Sequence, residues 1–462
     1  MARTSPTNAG RRHATVLRTL LALAALAAAA GCAESSRPTA TGEGWIRGMN
    51  ALIDSPDVQF LIEETNLAAL SYKDSSAERR YDDLSYTFNF DIRVPGEALN
   101  RRLARQLIDV VADNEYLLVL AGTVTNPEVI VWDNPDRVWA DTETVFEVSF
   151  GHATRVFADV DVYFAAPGTA PLPGNQVATL GFGERSDIRE YPAGQYEVTL
   201  TPANDPATVL YRSVTAEYPG GGSNVIIIVE GDPSTPSPVN ARLIPDTGAG
   251  VELPDVQIQP TLRFLHGALP AGNLDVARND DFVNLLASDL AFASVSPDVS
   301  VPAGSATINW VPAGNTTPVF SDENRLTAPG SRVIHMFLGE PGNYGVVGLP
   351  SVRRGFSTSA RMRFTNGNVN VDERIDVYLA APGRPLTEVA PVAAFLPFSQ
   401  SSGFQTIQSG DYELTVTRFP SREDILAGPI PVSVQNGDVV DVVVLDTADP
   451  NVSDVLIFDS VP

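Results

Sequence analysis

Three stretches of this chain repeat one another, and that repetition constrains its fold more than any other feature. The first copy reads Ser149-Phe150-Gly151-His152-Ala153, then Asp161-Val162-Tyr163-Phe164-Ala165-Ala166-Pro167-Gly168. The second reads Arg263-Phe264-Leu265-His266-Gly267, then Asp275-Val276-Ala277. The third reads Arg363-Phe364-Thr365-Asn366-Gly367, then Asp376-Val377-Tyr378-Leu379-Ala380-Ala381-Pro382-Gly383. A further block follows in each: Leu180-Gly181-Phe182, Leu290-Ala291-Phe292 and Leu396-Pro397-Phe398. Twelve residues after each Phe stands a glycine (Gly194, Gly304 or Gly410), and each glycine opens a segment of alternating polarity. Period-two alternation marks half-buried strands. Constant spacing is what a fixed register demands, because a one-residue slip turns every apolar side chain to the wrong face.

Each copy continues into a strongly apolar strand, Val225–Val229, Val333–Leu338 or Val439–Leu445, and then a short closing strand. Residues 45–135 read as a divergent fourth copy. Arg47-Gly48-Met49-Asn50-Ala51 fits its opening block, Asp57-Val58 its Asp-Val block, and Leu84-Ser85-Tyr86 its Leu-x-aromatic block. Leu99, Leu103, Leu107 and Val111 recur every fourth residue, which predicts an amphipathic helix over 97–111 covering one edge or face of this copy. The expected fold class is therefore all-β: tandem immunoglobulin-like antiparallel β-sandwich repeats with one amphipathic helix in the first. The expected units are 45–135, 145–248, 258–350 and 359–462, with Ser234–Pro238 and Val352–Ser357 as linkers. Such a string is a rod unless neighbouring domains pack tightly.

The start of the chain predicts where it is sent. Residues 1–31 hold Arg3, Arg11, Arg12 and Arg18, no acid, and an apolar run from Leu20 to Ala30. A basic start, a short apolar core and small exit residues make a signal peptide, and the run is too short to span a bilayer. Ala29-Ala30-Gly31-Cys32 resembles a bacterial lipobox, with Ala29 where Leu is usual. The resemblance makes Cys32, the chain's one cysteine, the lipidated N-terminus. The expected location is an exported protein held at a membrane by its lipid, the outer membrane in a Gram-negative cell because Ala33 rather than Asp follows. Residues 32–44, rich in Ser, Thr, Pro and Gly, read as a flexible tether.

Composition narrows the function classes. With one cysteine there is no intramolecular disulfide and no Cys-based zinc site. A formal charge of −25, from 56 acidic against 31 basic residues, disfavours nucleic-acid partners. Lys73 is the only lysine. An acidic, lysine-poor surface predicts salt tolerance, since added salt screens its self-repulsion.

The order of blocks, from Arg-Phe-x-His/Asn-Ala/Gly through Asp-Val-Tyr and Leu-x-Phe to a valine-rich strand, resembles the bacterial family called domain of unknown function 4397. The resemblance covers about residues 145–462 well and 45–135 weakly. It implies exported, often lipid-anchored chains of tandem immunoglobulin-like repeats, and no chemistry.

Candidate chemistry is thin. His152 and His266 share one repeat position, filled by Asn50 and Asn366 in the other copies. Asn is a poor transition-metal ligand, so the position reads as a buried hydrogen-bonding side chain. His335 lies inside an apolar strand and reads as a core or edge histidine. The run Pro219-Gly220-Gly221-Gly222-Ser223 precedes a strand, not a helix, so it reads as a hairpin loop and not a phosphate cradle. The Asp-rich segment Asp446–Asp454 reads as solvated turns rather than a Ca²⁺ loop. The reading is thus a lipid-anchored envelope protein without cofactor, metal or catalytic set, acting as a non-catalytic binding, adhesion or spacer module. Its expected partners are the membrane, through the lipid, and an envelope protein or glycan. The rival is an enzyme acting on envelope polysaccharide with its site in the divergent first repeat, which polar residues converging in a pocket there would favour.

Overall fold

A computed structural model describes residues 39–140, 142–370 and 374–460. The expected signal peptide, Cys32 and most of the expected tether lie outside these residues. The regular structure of the described chain is strand, apart from 3-10 turns at Leu269–Ala271 and Leu386–Glu388. It forms four two-sheet sandwiches.

One sheet of each sandwich is built around its opening strand: Glu43–Asn50, Val145–His152, Thr261–His266 or Ala360–Asn366. That strand runs parallel to the apolar strand, Asn114–Thr123, Ser223–Glu230, Arg332–Glu340 or Val439–Leu445. The remaining ladders are antiparallel, including the closing strands Asn126–Pro135, Val239–Pro245, Asn343–Pro350 and Asp454–Asp459. The apolar strand lies inside its sheet with both faces covered, which is why it reads as an unbroken hydrophobic run. Ile226 and Ile228 face their own core, while Ile227 and Val229 face a neighbouring sandwich.

The second sheet sets the repeat register. Phe60, Val162, Val276 and Val377 lie opposite Phe90, Leu200, Trp310 and Val416. Three of those partners stand six residues after Gly194, Gly304 and Gly410, and counting back six from Phe90 reaches Leu84. Leu84 in turn stands twelve residues after Tyr72, so the Leu-x-aromatic block of the first repeat is Leu70-Ser71-Tyr72 and not Leu84-Ser85-Tyr86. The same register puts Gln59-Phe60, not Asp57-Val58, at the Asp-Val position. The spacing held while leucine replaced the marker glycine, and that hid the alignment.

The helix expected over 97–111 is a strand, Arg101–Asp109, paired along Ser85–Ile92. Every other sandwich has an edge strand at this place: Phe320–Thr327, Ile425–Val434, or the pieces Tyr211–Arg212 and Ala216–Tyr218. A spacing of four is even, so leucines four apart share one face of a strand as readily as one face of a helix. Here Leu107 is 61% exposed, whereas Ile108 joins the core at 6%. Ser234–Pro238 is likewise no linker, because it lies in the connection between the paired strands Ser223–Glu230 and Val239–Pro245.

The sandwiches pack in pairs. Met49, Val119 and Trp132 of the first meet Ile227, Val229 and Ile244 of the second. Leu265, Met336 and Leu338 of the third meet Val443, Leu445 and Phe458 of the fourth. In each pair the sheets that carry the parallel strands face each other, and burying their apolar outer faces supplies roughly 1.5–3 kcal/mol per large side chain.

Candidate functional site

The repeated polar position is structural in all four sandwiches. Asn50, His152, His266 and Asn366 are each fully buried at the end of an opening strand. Asn50 Nδ2 donates to the Leu70 carbonyl at 2.9 Å, and Asn366 Nδ2 to the Leu396 carbonyl at 3.1 Å. His152 Nδ1 lies 3.1 Å from the equivalent Leu180 carbonyl. His266 donates from Nε2 to Gly272, and its Nδ1 accepts from the backbone N–H of Ala268. The Asn50 and Asn366 side-chain oxygens accept the same i+2 amide. Each side chain thus satisfies backbone groups where a strand ends. Burial pushes the pKa of both imidazoles down, so both are held neutral. His335 is buried as well, with its pKa pushed down to about 4 by burial and then by Arg325. Asp446, placed by sequence in a solvated turn, is 2% exposed, and its Oδ1 accepts the backbone N–H of Val369 at 2.8 Å. Among the described residues no three His, Cys, Asp or Glu side chains converge as a metal-holding group.

The other repeated residues lock sandwich to sandwich. Arg47 donates to the carbonyls of Pro245 and Asp246 at the end of the second sandwich's closing strand. Arg363 donates to the Pro350 carbonyl of the third, and its Nε to Asp441 Oδ1 at 2.7 Å. Arg263 points the opposite way, toward the carbonyls of Asp459 and Ser460 in the fourth. Where the second repeat has Ser149, Arg185 fills the role: its Nε donates to Ser149 Oγ and its Nη1 to Asn134 Oδ1 on the first sandwich's closing strand. The aromatic residue of each Leu-x-aromatic block packs at a seam, Tyr72 and Phe182 at one, Phe292 and Phe398 at the other. The next residue, Lys73, Gly183, Ala293 or Ser399, has a positive φ in every copy. Only one of the four is glycine, so composition gives no sign of this turn.

Polar residues do converge at the first seam. Glu78, Glu115, Asn134, Glu147, Arg47 and Arg185 line a cavity of about 40 Å³ there. Burial first, and the charge of Glu78 second, push the Glu115 carboxyl up to about 7. That volume holds a few waters and no sugar ring.

A larger opening lies between the first and fourth sandwiches. The connection from the third to the fourth crosses to the first. Arg354 Nη1 donates to the carbonyls of Ile53 and Ser55, and the Ser357 N–H to that of Asp54. The Arg361 guanidinium lies 4.5 Å from the Phe356 ring centre and 4.7 Å from that of Phe404. Its Nη1 donates to the Arg354 carbonyl at 2.9 Å. Burial, then the neighbouring Arg354 charge, draw its pKa down to about 10, so it is still charged at neutral pH. Beside this stack is a groove of about 550 Å³, lined by Pro56, Asp57, Arg93 and Pro95 on one wall and Phe356, Arg361, Phe404 and Thr406 on the other. No residue of this groove was marked by the sequence as a site. Its members come from segments up to 350 residues apart, as Pro56 and Thr406 show.

No protein-family model matches the chain, and no curated protein matches it. Among solved structures it is similar to CBMbc (family CBM26) from Eubacterium rectale Amy13K in complex with maltoheptaose, at 10% identity over 40% of this chain and 91% of that one, with a TM-score of 0.14. It is also similar to a product complex of SpuA, a multi-modular glycogen-degrading pneumococcal virulence factor. That likeness, at 10% identity and a TM-score of 0.14, covers 82% of this chain and 37% of the other.

Proposed function

We propose that this chain is a lipid-anchored envelope protein acting as a non-catalytic binding or adhesion module, with the groove between its first and fourth sandwiches as its ligand site. The observation that carries this reading is the use made of the repeated polar residues. The Asn/His position closes strands and the arginines close seams, so the repeats supply a rigid frame. Rigid frames are where binding groups keep their geometry. Anchoring at Cys32 and delivery to the outer membrane rest on the basic, apolar start of the chain and on Ala29-Ala30-Gly31-Cys32 followed by Ala33. The hydrolase reading needs carboxylates beside a sugar-sized space. The first-seam carboxylates sit at a cavity for a few waters, which favours the binding reading.

The test has two arms. Cells expressing the full chain are fed an alkyne fatty acid, and label on the protein that disappears in Cys32→Ser supports the anchor; equal label in both rejects it. The purified chain is then incubated with envelope glycan and protein fractions of its source cell. Retention of a fraction without its degradation supports the binding module. Degradation makes the chain an enzyme, and no retention removes the binding role.

A further inference from the structure

We infer that the groove between the first and fourth sandwiches is a subsite for an acidic sugar, with Arg361 and Arg93 receiving its carboxylate. The inference rests on the binding reading above and names the ligand class.

Charge is the starting point. In a chain of net charge −25, Arg361 and Arg93 face the same groove, and among the described residues no carboxylate lies within ion-pair distance of either. Arg363, two residues along the same strand as Arg361, shows the contrast, since Asp441 neutralises it. Arg361 is also pre-positioned. Two phenyl rings flank it and one carbonyl holds one of its nitrogens, leaving the other N–H donors without a protein acceptor. A planar guanidinium held in this way is suited to a carboxylate, and little side-chain entropy is lost when the ligand arrives. Arg93 makes one long bond, 3.3 Å, to the Ala98 carbonyl and is otherwise exposed.

The remaining lining selects the rest of the ligand. Asp57, whose Oδ1 accepts the Ser71 hydroxyl at 2.6 Å, keeps an acceptor for a ligand hydroxyl and repels a bare multiply charged anion. Thr406, opposite Arg361 in the ladder, presents an exposed hydroxyl. Phe356 carries the guanidiniums of Arg354 and Arg361, and Phe404 those of Arg361 and Arg363, so stacking against these rings is already taken up by cations. A neutral sugar therefore has little to gain here, while a carboxylate on a hydroxyl-bearing ring meets both kinds of partner.

The test is calorimetric titration of the full-length chain in detergent with trigalacturonate, its methyl ester, cellotriose and sodium phosphate. Trigalacturonate should bind at least about tenfold more tightly than the other three, the loss expected when charge-assisted bonds are removed. Arg93→Gln, on an exposed side chain, and Arg361→Gln should each weaken it about tenfold. Equal binding of the ester or of cellotriose overturns the carboxylate assignment, and equal binding of phosphate overturns the sugar. Unchanged affinity in Arg93→Gln, or in an Arg361→Gln chain of normal melting temperature, overturns the location. If trigalacturonate fails to bind while envelope material is still retained, the subsite falls and the binding role stands. If nothing is retained, both fall.

Discussion

Arg263 and Arg363 hold the same place in consecutive repeats and reach across one seam in opposite directions, Arg263 to the carbonyls of Asp459 and Ser460 and Arg363 to that of Pro350. Each arginine leaves an opening strand and ends on the neighbour's closing strand, so the third and fourth sandwiches are related as two halves of a two-fold pair. Arg47 and Arg185 repeat the arrangement at the other seam, although Arg185 comes from a different part of its repeat. Two seams of one design mean that the four sandwiches are built as two pairs.

Replacing Arg363 with Met should be severe. Its partner Asp441 is 2% exposed, and in the variant it would keep only the Ser460 hydroxyl. Stranding a buried carboxylate costs about 3–5 kcal/mol. Urea denaturation should show that loss, and adding Asp441→Leu should recover most of it by removing the stranded charge. If the double variant is as unstable as the single one, the bond to Pro350 carries the seam instead.

Gly267 is needed for close approach, not for backbone freedom. A Cβ there would stand 2.7 Å from Leu338 and 2.8 Å from Leu445 of the opposite sandwich. Gly267→Val should cost about 1–3 kcal/mol through overpacking at the seam. Gly345→Ala, where a Cβ meets nothing within 4 Å, should leave the melting temperature unchanged. Equal effects would mean that the seam yields to an added side chain.

The strand at Arg101–Asp109 gives a sharper test, because helix and strand bury different residues there. On the observed fold Leu107→Thr is near neutral, while Ile108→Thr removes a core side chain and buries a hydroxyl, at about 2 kcal/mol. A helix with Leu99, Leu103 and Leu107 on its buried face would reverse the order. Thermal denaturation of the two variants decides between them.

These cases show what the amino-acid pattern carries. The twelve-residue step from Phe182, Phe292 and Phe398 to a glycine is readable because strand register admits no slack. The first repeat keeps the step but puts Leu84 at its end, so a search keyed to glycine finds the wrong block. The seams were half legible. Arg47, Arg263 and Arg363 repeat visibly, but the direction they reach is set by the sheet facing them. Arg185 replaces the arginine missing at Ser149 from 36 residues further on, which no local pattern reports. The groove was not legible at all, because Arg93 and Arg361 meet only through the folding of two distant repeats.

Stability should also depend on pH through the first seam. The Glu115 carboxyl is raised to about 7 in the folded chain, by burial first and the Glu78 charge second, against an ordinary value near 4.5. Between those two values the folded state holds a proton that the unfolded state has lost, so stability falls as pH rises through this window. Glu78 is raised for the same leading reason and acts in the same direction. His152 and His266 oppose it. Their pKa values are pushed down by burial, so the stability they contribute is present above their ordinary value and fades as pH falls. The separating measurement is the melting temperature of the chain and of Glu115→Gln from pH 4.5 to 8. The variant keeps the shape and the Asn134 contact but carries no charge, so its advantage over the parent should grow from near zero at pH 4.5 to a maximum above pH 7. A gap that stays constant with pH would mean that Glu115 titrates in the folded chain as it does in water.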